Sequence, residues 1–353
     1  MSIRSIRKWQ HIQHALNIPP GPKATGFKDV HLVHHAVSCL NLNDINTEFM
    51  FLGKNLKFPL LINALTGGAL GLEKINKSLA IAAKECGIAL AVGSQSAALD
   101  DPSLTSTFQI VREVNPKGVI LANVSALVNP KLALQAVEMI DADGLQLHLN
   151  LTQELIMAEG DRNFKRLLEN IKLIKEISPV PVIIKEVGFG LSLEAVNKLM
   201  ELDISFYDIG GAGGTNFAAI EIARNNNVNN DDLLYWGVPT VISLIETLEK
   251  ALKSTICASG GIYSPVDIVK SLALGANLVG IATPFLQLAS RQNVEVIVKH
   301  IENLIKMCKE IMLLVDAQNL INLQEKPVVI TGFTREWLEV RGIGIQKFAR
   351  RGL

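Results

Sequence analysis

Residues 182–215 read VIIKEVGFGLSLEAVNKLMELDISFYDIGGAGGT, and this stretch contains the unit on which the fold prediction depends. A short apolar run, Val182–Ile184, ends in a small and polar cluster. An amphipathic stretch follows, and then comes a second apolar run, Phe206–Ile209. Apolar runs of this length that alternate with helices are typical of parallel strands buried on both faces of a sheet.

The same unit recurs along the chain from Pro59 onward. Eight apolar runs are each followed by a small or polar cluster: Leu60–Ile62, Ile88–Val92, Val119–Leu121, Leu145–Leu147, Val182–Ile184, Phe206–Ile209, Ile256–Ala258 and Leu278–Ile281. Eight strand–helix units that close on themselves form a TIM barrel, so an α/β (β/α)8 barrel is the predicted fold. A doubly wound open sheet is the alternative, although such sheets usually have fewer strands and one reversal point.

Helix start and stop signals support these units. Residues 71–87, GLEKINKSLAIAAKECG, place apolar residues at helical spacing and end at Gly87, a typical helix C-terminal glycine. Residues 264–276, SPVDIVKSLALGA, begin with serine and proline in the first turn and reach Gly275.

Two segments are predicted around this pattern. Residues 1–58 form an arm that closes over the site: a helix (Ile3–Asn17), a mobile stretch PPGPKATG at 19–26, and extended chain. Residues 59–353 form the barrel and a C-terminal tail that is helical from Pro284 to about Val315 and irregular after it. The longest interruption is Thr215–Val238, predicted as a polar loop because it contains RNNNVNNDD.

Composition limits the class of protein. Of the 353 residues, 48% are apolar and 19% are charged, which gives ample material for a large core. Lys plus Arg number 34 and Asp plus Glu number 34, so no net charge favours nucleic acid or an anionic membrane. The cysteines lack C-x-x-C spacing, which argues against structural zinc or a disulfide framework: Cys39, Cys86, Cys257 and Cys308. No secretory signal and no run of 18 apolar residues occur, so we expect a soluble cytoplasmic protein.

Polar and small residues follow the predicted strands, where the active site of a TIM barrel lies. They are Thr66, Gly67, Ser94, Gln95, Asn123, His148, Asn150, Gln153, Glu154, Lys185, 210–215, Gly260 and Gly261. Each residue alone is consistent with a helix cap or a turn glycine. Their joint placement at consecutive strand ends predicts one polar site over an apolar barrel.

Two glycine-rich stretches in this set predict phosphate binding. GGAGGT at 210–215 and SGGI at 259–262 expose backbone N–H groups, and the helix after SGGI adds its N-terminal dipole. The first stretch is not G-x-G-x-x-G and does not lead directly into a helix, which argues against a Rossmann site.

Three charged positions allow both a functional and a structural interpretation. Lys185 at the end of a buried strand could form a Schiff base, pair with phosphate or stabilise a reduced flavin, or it could simply pair with Glu186 or Asp208. Glu154 could hold one Mg²⁺ beside a diphosphate or serve as a helix N-terminal charge. The basic side of the first helix, formed by Arg7, Lys8 and His11, could bind phosphate or form a solvated face.

A family pattern emerges from these motifs taken in order. RKWQH, NALTGG, GSQS, LAN, QLHLN with QE, KEVGFG, DIGGAGGTN, ASGGI and TGFTREWLEVRGI run from Arg7 to about Gly342. Together they resemble the type 2 isopentenyl diphosphate isomerases. ASGGI and GGAGGT occur in other flavin barrels, whereas KEVGFG with QLHLN–QE and the RKxxH start is specific.

The resemblance implies an isomerase of isoprenoid biosynthesis that converts isopentenyl diphosphate to dimethylallyl diphosphate. It further implies FMN that must be reduced by NADPH or another source, Mg²⁺ on the diphosphate, and a homo-oligomer, either a tetramer or an octamer. A small-molecule diphosphate is then the expected partner, without nucleic acid or membrane.

The resemblance also assigns roles to individual positions. The implied flavin contacts are Ala64, Leu65, Thr66, Ser94, Asn123, Lys185, Thr215, Gly260, Gly261, Ile262, Ala282 and Thr283. The implied substrate contacts are Arg7, Lys8, His11, Ser94, Gln95, Ser96, His148, Asn150 and Gln153, and the implied metal ligand is Glu154. Gln153, His148 and Asn150 are the catalytic candidates. Many relatives have arginine where this chain has Ser96 and Thr283.

The implied chemistry is physically reasonable. A double-bond shift adds a proton at one carbon and removes one at another, and an unactivated alkene is a very weak base, so the acid must be positioned in a dry site. No Cys–Glu pair is visible at the strand ends. The resemblance suggests that reduced flavin N5 transfers the proton and that Gln153 assists the second transfer.

Three rival functions are considered. An FMN-dependent 2-hydroxy acid oxidase would carry a His-Gly-Gly-Arg stretch, which this chain lacks. A dehydrogenase of the inosine monophosphate type needs a loop cysteine, whereas Cys257 lies inside a predicted strand. A non-catalytic flavin- or phosphate-binding sensor remains open, and an assay for the isomer separates it from the enzyme.

Overall fold

Eight parallel strands within residues 3–224 and 231–352 of the computed structural model close into a barrel. The barrel strands are β4 (Leu60–Ile62), β5 (Ala89–Ala91), β6 (Ile120–Ser125), β7 (Gly144–Leu149), β8 (Val182–Glu186), β9 (Phe206–Asp208), β10 (Thr255–Ser259) and β11 (Leu278–Ile281). They pair in sequence order, and β11 returns to β4 to close the ring. The predicted (β/α)8 barrel is therefore confirmed, and the open-sheet alternative is excluded.

Helices surround the barrel and continue beyond it. They are α1 (Ile3–Asn17), α2 (Glu73–Cys86), α3 (Ser96–Asp100), α4 (Ser106–Val114), α5 (Pro130–Met139), α6 (Leu151–Ile156), α7 (Leu167–Ile177), α8 (Leu193–Met200), α9 (Phe217–Arg224), α10 (Thr240–Lys250), α11 (Pro265–Leu274), α12 (Thr283–Arg291), α13 (Val294–Leu314), α14 (Leu320–Glu325), α15 (Gly332–Val340) and α16 (Gln346–Ala349). The remaining strands are β1 (Val30–Leu32), β2 (Phe49–Phe51), β3 (Lys54–Leu56) and β12 (Val328–Ile330).

The helix signals read from the sequence correspond to real helix ends. Gly87 follows α2 with φ of 65° and donates its N–H to the Lys84 carbonyl, as a C-terminal glycine in the left-handed region does. Ser264 caps α11 by accepting the Asp267 N–H through its hydroxyl.

Three strands are longer than their apolar runs suggest. Asn123, His148 and Lys185 lie inside β6, β7 and β8 rather than after them. The ladder of backbone hydrogen bonds does not depend on side-chain polarity, so a strand continues where its interior face becomes polar. Because side chains alternate along a strand, these residues still project into the barrel mouth.

A hairpin closes the other end of the barrel. Strands β2 and β3 pair antiparallel, and Phe51 and Leu56 pack beneath the barrel against Leu61, Leu121 and Ile183. The stretch predicted only as extended chain thus forms a hydrophobic plug that leaves the opposite mouth for ligands.

The region after Val315 is not irregular, contrary to the prediction. It contains α14, β12 and α15, and β12 pairs antiparallel with β1 in the register Val30↔Ile330. The carboxylate of Asp29 accepts the Thr334 N–H at 2.9 Å and its hydroxyl at 2.7 Å, which fixes the start of α15 beside β1. The two ends of the chain are therefore joined around one side of the barrel.

The first helix has the bounds expected from the sequence, and it packs at the barrel mouth. Ile12 and Ala15 are buried with Leu72, Ile220 and Leu286. The stretch after the helix is hydrogen-bonded to the barrel, since Gly21 donates its N–H to Gly214 O at 2.9 Å.

The expected polar loop at Thr215–Val238 is in part a helix. Helix α9 takes up Phe217–Arg224, and a 3₁₀ turn spans Asp231–Tyr235, while residues 225–230 lie outside the described part of the chain. Across 3–224 and 231–352, no helix combines the length and the apolar character that crossing a membrane requires.

Candidate active site

One large cavity opens at the carboxyl ends of the barrel strands, as in other TIM barrels. Its volume is about 460 Å³, and α1 forms part of its wall through Arg7, Lys8, His11, Ile12 and Ala15. The N-terminal helix and the barrel thus contribute to one site.

Most of the residues singled out in the sequence line this cavity. They are Arg7, Lys8, His11, Ala64, Leu65, Ser94, Ser96, Asn123, His148, Asn150, Gln153, Glu154, Lys185, Thr215, Gly260, Gly261, Ile262, Ala282 and Thr283. The roles that the resemblance assigns to them remain predictions, but their convergence is a feature of the fold.

Two of the implied flavin and substrate contacts, Thr66 and Gln95, do not line the cavity. The side chain of Gln95 is fully buried behind the wall, where it donates to the Ala136 carbonyl at 2.8 Å and accepts the Asn123 N–H at 3.0 Å. The Thr66 hydroxyl donates to Asn76 at the start of the outer helical layer. Both side chains brace the wall, and the structure therefore corrects the prediction that Gln95 contacts substrate. A local motif gives no information on which face of a strand end such a residue occupies.

A polar layer crosses the barrel interior beneath the cavity. Asp208 is fully buried and accepts hydrogen bonds from Lys185 Nζ at 3.0 Å and from Asn63 Nδ2 at 2.7 Å, and also from Ser259. Lys185 therefore pairs with Asp208, one of the two carboxylates considered from the sequence, while it also lines the cavity.

The other carboxylate, Glu186, has a different role. Its Oε2 accepts the N–H groups of Gly188, Phe189 and Gly190 at 2.7, 2.5 and 3.0 Å. Burial raises the pKa of Glu186 to about 7 in spite of these three hydrogen bonds. The side chain fixes the KEVGFG loop, from which Val187 and Gly188 line the cavity.

His148 faces Asn123 across neighbouring strands. Its Nδ1 lies 2.9 Å from Asn123 Oδ1. Burial lowers the pKa of His148 to about 3, and the charges of Lys8, Lys185 and Arg7 act in the same direction. The imidazole is therefore neutral at physiological pH.

Glu221 on α9 is a site-neighbouring residue that the sequence analysis missed. It is fully buried, and its Oε1 lies 2.8 Å from both His11 Nε2 and Gln153 Nε2, while Arg224 pairs with its other oxygen. Burial alone would raise the pKa of Glu221, but the hydrogen bonds from His11 and Gln153 and the charge of Arg224 lower it overall. An acidic residue inside the apolar segment FAAIEIA was the available sequence signal.

These contacts tie the helix α1 to the catalytic candidates. Arg7 lies 3.6 Å from Glu159, and Arg224 lies 3.0 Å from the same carboxylate. Burial lowers the pKa of His11, and its contact with Glu221 opposes this shift.

Glu154 belongs to a short hydrogen-bonded group on α6. Its Oε1 accepts from Asn150 Nδ2 at 2.7 Å and its Oε2 accepts the Asp161 N–H at 2.8 Å. Within the part of the chain that the structure describes, no group of three or more His, Cys, Asp or Glu side chains could hold a metal ion. A cation at Glu154 would therefore need oxygen ligands from a bound phosphate, as Mg²⁺ often has.

The two glycine loops approach each other backbone to backbone. A Cβ at Gly260 would lie 2.1 Å from Gly211 O, and a Cβ at Gly214 would lie 2.3 Å from Gly261 N. No side chain fits at these two glycine positions, because the backbone of the facing loop occupies the space. The hydroxyls of Thr215 and Thr283 meet beside these loops, so the cavity wall presents amide and hydroxyl donors that suit a phosphate group.

The strand residue Cys257 is poorly suited to nucleophilic chemistry. Cys257 lies in the barrel interior with its thiol pKa raised well above the usual value by burial, as expected for a residue in a strand. This agrees with the sequence argument against a cysteine-dependent dehydrogenase.

Comparison with known proteins identifies the family to which the chain belongs. The family model of the FMN-dependent dehydrogenases matches residues 122–329. Over 353 residues the chain is 43% identical to the isopentenyl-diphosphate delta-isomerase of Geobacillus sp. (strain WCH70), covering 99% of both chains. It is 40% identical over 344 residues to the protein of the same name from Staphylococcus aureus (strain JH9), covering 98% of both.

Solved structures with a similar fold include two of mandelate oxidase. A mutant with the C4a-OH-FMN adduct has a TM-score of 0.64 at 14% identity, covering 92% of this chain and 99% of that one. The enzyme with benzoyl-formic acid has a TM-score of 0.62 at 14% identity, covering 91% and 94%. At this identity the likeness supports the barrel fold alone.

Proposed function

Because the chain belongs to the FMN-dependent dehydrogenase family and, within it, to the type 2 isopentenyl-diphosphate delta-isomerases, we propose that it converts isopentenyl diphosphate to dimethylallyl diphosphate. Reduced FMN serves as acid and base, and Mg²⁺ binds the diphosphate. The observation that carries this proposal is that one cavity combines glycine loops, Lys185, Glu154 and the basic residues of α1.

The residues present fit FMN. The close contact of the two glycine loops leaves backbone N–H groups and the hydroxyls of Thr215 and Thr283 for the phosphate end. Lys185 supplies a cation at the cavity floor, which suits a reduced flavin that carries negative charge near N1. When bound and reduced, FMN supplies the proton donor and acceptor at N5.

The chain's own side chains bind and orient the substrate. Arg7 and Lys8 neutralise diphosphate charge from one wall, while the helix that carries them excludes water from the mouth. Gln153 donates from Nε2 to Glu221, and its Oε1 accepts from Asn150 Nδ2 at 3.4 Å, which fixes the orientation of its amide. In this position Gln153 assists the second proton transfer. Ser94 and Ser96, whose hydroxyls lie 3.1 Å apart, add neutral donors for phosphate oxygens.

The metal site requires substrate. Glu154 would be the residue that holds Mg²⁺, and the ion would take its other oxygen ligands from the diphosphate and from water, as Mg²⁺ prefers. Glu154→Gln should therefore raise the Mg²⁺ concentration needed for half-maximal rate by at least about tenfold. FMN affinity should stay unchanged, and Glu169→Gln, which changes an exposed carboxylate that pairs with Arg166, is the matched control. An unchanged Mg²⁺ requirement assigns Glu154 to helix α6 alone.

The remaining parts of the proposal rest on the family resemblance. NADPH reduces the flavin, and the protein works in the cytoplasm as a tetramer or octamer. Equilibrium sedimentation gives the subunit number, and anaerobic bleaching of the flavin spectrum by NADPH tests the reductant.

An anaerobic assay in which the reductant or Mg²⁺ is left out tests the function. The purified protein is incubated with FMN, Mg²⁺ and isopentenyl diphosphate, with or without a reductant, and dimethylallyl diphosphate is quantified. We expect product only with reduced flavin and Mg²⁺. Absence of product together with flavin reduction by a 2-hydroxy acid would instead support the oxidase chemistry of the structural neighbours.

A further inference from the structure

The polar layer inside the barrel forms a continuous hydrogen-bonded path from Lys185 to His148. Asp208 Oδ2 accepts from Lys185 Nζ at 3.0 Å and from Gln146 Nε2 at 3.3 Å. Asn123 Nδ2 donates to Gln146 Oε1 at 2.9 Å, and Asn123 Oδ1 lies 2.9 Å from His148 Nδ1. Four neighbouring strands contribute these residues.

The direction of every hydrogen bond in this path follows from its charged end. An ionised carboxylate only accepts, so the group that Gln146 turns toward Asp208 must be its NH₂. Its carbonyl oxygen then points to Asn123 and accepts from the NH₂ of that residue. The oxygen of Asn123 is left for the imidazole, and an oxygen can only accept, so His148 must donate from Nδ1.

Because these side chains are buried, reversing an amide in this order of donors and acceptors would leave polar groups unpaired. Gln146 and Asp208 are completely buried, and Asn123 is 3% exposed, so a reversed amide would leave two donors or two acceptors facing each other without water. Asn63 strengthens the arrangement, since its Nδ2 donates to Asp208 at 2.7 Å and its Oδ1 accepts from Gln146.

We propose that Asp208 is a positioning residue that acts through Gln146 and Asn123 to hold His148 as the neutral tautomer protonated on Nδ1. Nε2 is then a hydrogen-bond acceptor at the cavity wall. The charged groups that face this imidazole are Lys8 and Arg7 from α1 and Lys185 from β8, and all three oppose a second proton on the ring. An acceptor at this position pairs with a donor on a ligand or with an ammonium group of α1. The path stands on the contacts alone, whereas its importance for turnover rests on the proposed function.

The tautomer can be measured directly on the full chain without substrate. Protein labelled with ¹⁵N-histidine gives long-range proton–nitrogen correlations that distinguish protonated from unprotonated ring nitrogens, and His148→Gln identifies the resonances of this residue. We expect Nδ1 protonated and Nε2 unprotonated, with or without FMN. A ring protonated on Nε2, or an equal mixture of tautomers, overturns the inference.

Two variants test the role of Asp208. Gln146→Met cuts the path but leaves the Lys185–Asp208 pair, and Asp208→Asn removes the charged end. Either variant should convert His148 to a mixture of tautomers and lower kcat at least about fivefold. Thr247→Val is the matched control, because its buried hydroxyl bonds only Ser243 O in the described structure. A pure Nδ1-protonated ring in a folded variant overturns the assignment, and the wild-type measurement decides it if both variants fail to fold.

The outcomes separate this inference from the proposed function. The tautomer is read in the absence of isopentenyl diphosphate, so an inactive protein with the expected ring state contradicts only the function. An active isomerase with the opposite tautomer contradicts only the role of Asp208.

Discussion

Lys185 and Asp208 form a buried ion pair under the cavity, and a double variant separates its effect on stability from its effect on cofactor binding. Lys185→Met leaves the buried Asp208 charge without a cationic partner and should lower the free energy of unfolding by about 3 kcal/mol. FMN affinity, measured by fluorescence quenching, should fall at least about tenfold, roughly 1.4 kcal/mol. Lys185→Met combined with Asp208→Asn should recover stability but not FMN affinity. Recovery of both would mean that the cation has no role toward the flavin.

Glu186 predicts a pH dependence whose sign follows from its burial. Its pKa rises from 4.5 in the unfolded chain to about 7 in the fold, so the folded state binds more protons between these values. Ionisation of Glu186 therefore reduces stability as the pH rises from 4.5 to about 7. Glu186→Gln, compared with the parent by urea unfolding at pH 5 and pH 8, should gain relative stability at pH 8. The exposed control Glu169→Gln should show no such change, and an equal difference at both pH values contradicts the account.

The sequence identifies single functional residues better than it identifies their partners. Lys185 was recognisable as a cation at the end of an apolar run, but the sequence left its partner open between Glu186 and Asp208, which lies 23 residues away on the next strand. Glu221 contacts Gln153 across 68 residues and was not recognised. Such pairs arise from barrel closure, which a local pattern does not specify.

At the scale of elements, helix α1 is the part of the site that comes from outside the barrel. Arg7→Ala with Lys8→Ala should raise the KM for isopentenyl diphosphate at least about tenfold, equivalent to roughly 1.4 kcal/mol of binding. Flavin affinity should barely change. Gln13→Ala, on the exposed side of the same helix, is the matched control. If the double variant has the parent's KM, these side chains form a solvated face.

Helices could be predicted more closely than strands. The bounds of α1 agree with the expected Ile3–Asn17, because an amphipathic period runs along the helix and prolines follow its C-terminal end. Strands β6 to β8 are longer than the sequence predicts, because their interior side chains become polar where the barrel opens into the cavity. Polarity in a sequence does not distinguish a loop from a strand that faces a polar site.

In the described part of the chain, helices α14 to α16 stabilise the barrel from outside and do not line the cavity. Glu246 is buried on α10 and accepts from Trp337 Nε1, Arg341 Nε and the Leu193 N–H at 3.0, 3.0 and 2.8 Å. Glu246→Ala leaves these donors unpaired and should lower the free energy of unfolding by about 1–3 kcal/mol. FMN affinity should be unchanged. Arg335→Ala, which removes an exposed i,i+4 pair, should cost less than about 0.5 kcal/mol. Similar losses in both variants would contradict the importance of burial.

The barrel could be predicted because eight similar units repeat. The pairing of β1 with β12, which joins the N-terminal and C-terminal regions, could not. Strands β1 and β12 have three residues each and pair between Val30 and Ile330. A three-residue strand carries almost no periodic signal, and its partner is set by where the barrel places both ends.

A flavin enzyme that catalyses a reaction without net redox change turns over many substrate molecules without oxidising its flavin, and counting product against flavin tests this directly. The enzyme is loaded anaerobically with one reduced FMN per chain, Mg²⁺ and a large excess of isopentenyl diphosphate, and product and flavin absorbance are followed together. We expect many dimethylallyl diphosphate molecules per flavin, while the absorbance stays that of reduced FMN. Product that never exceeds the amount of flavin oxidised, or no product at all, would contradict it.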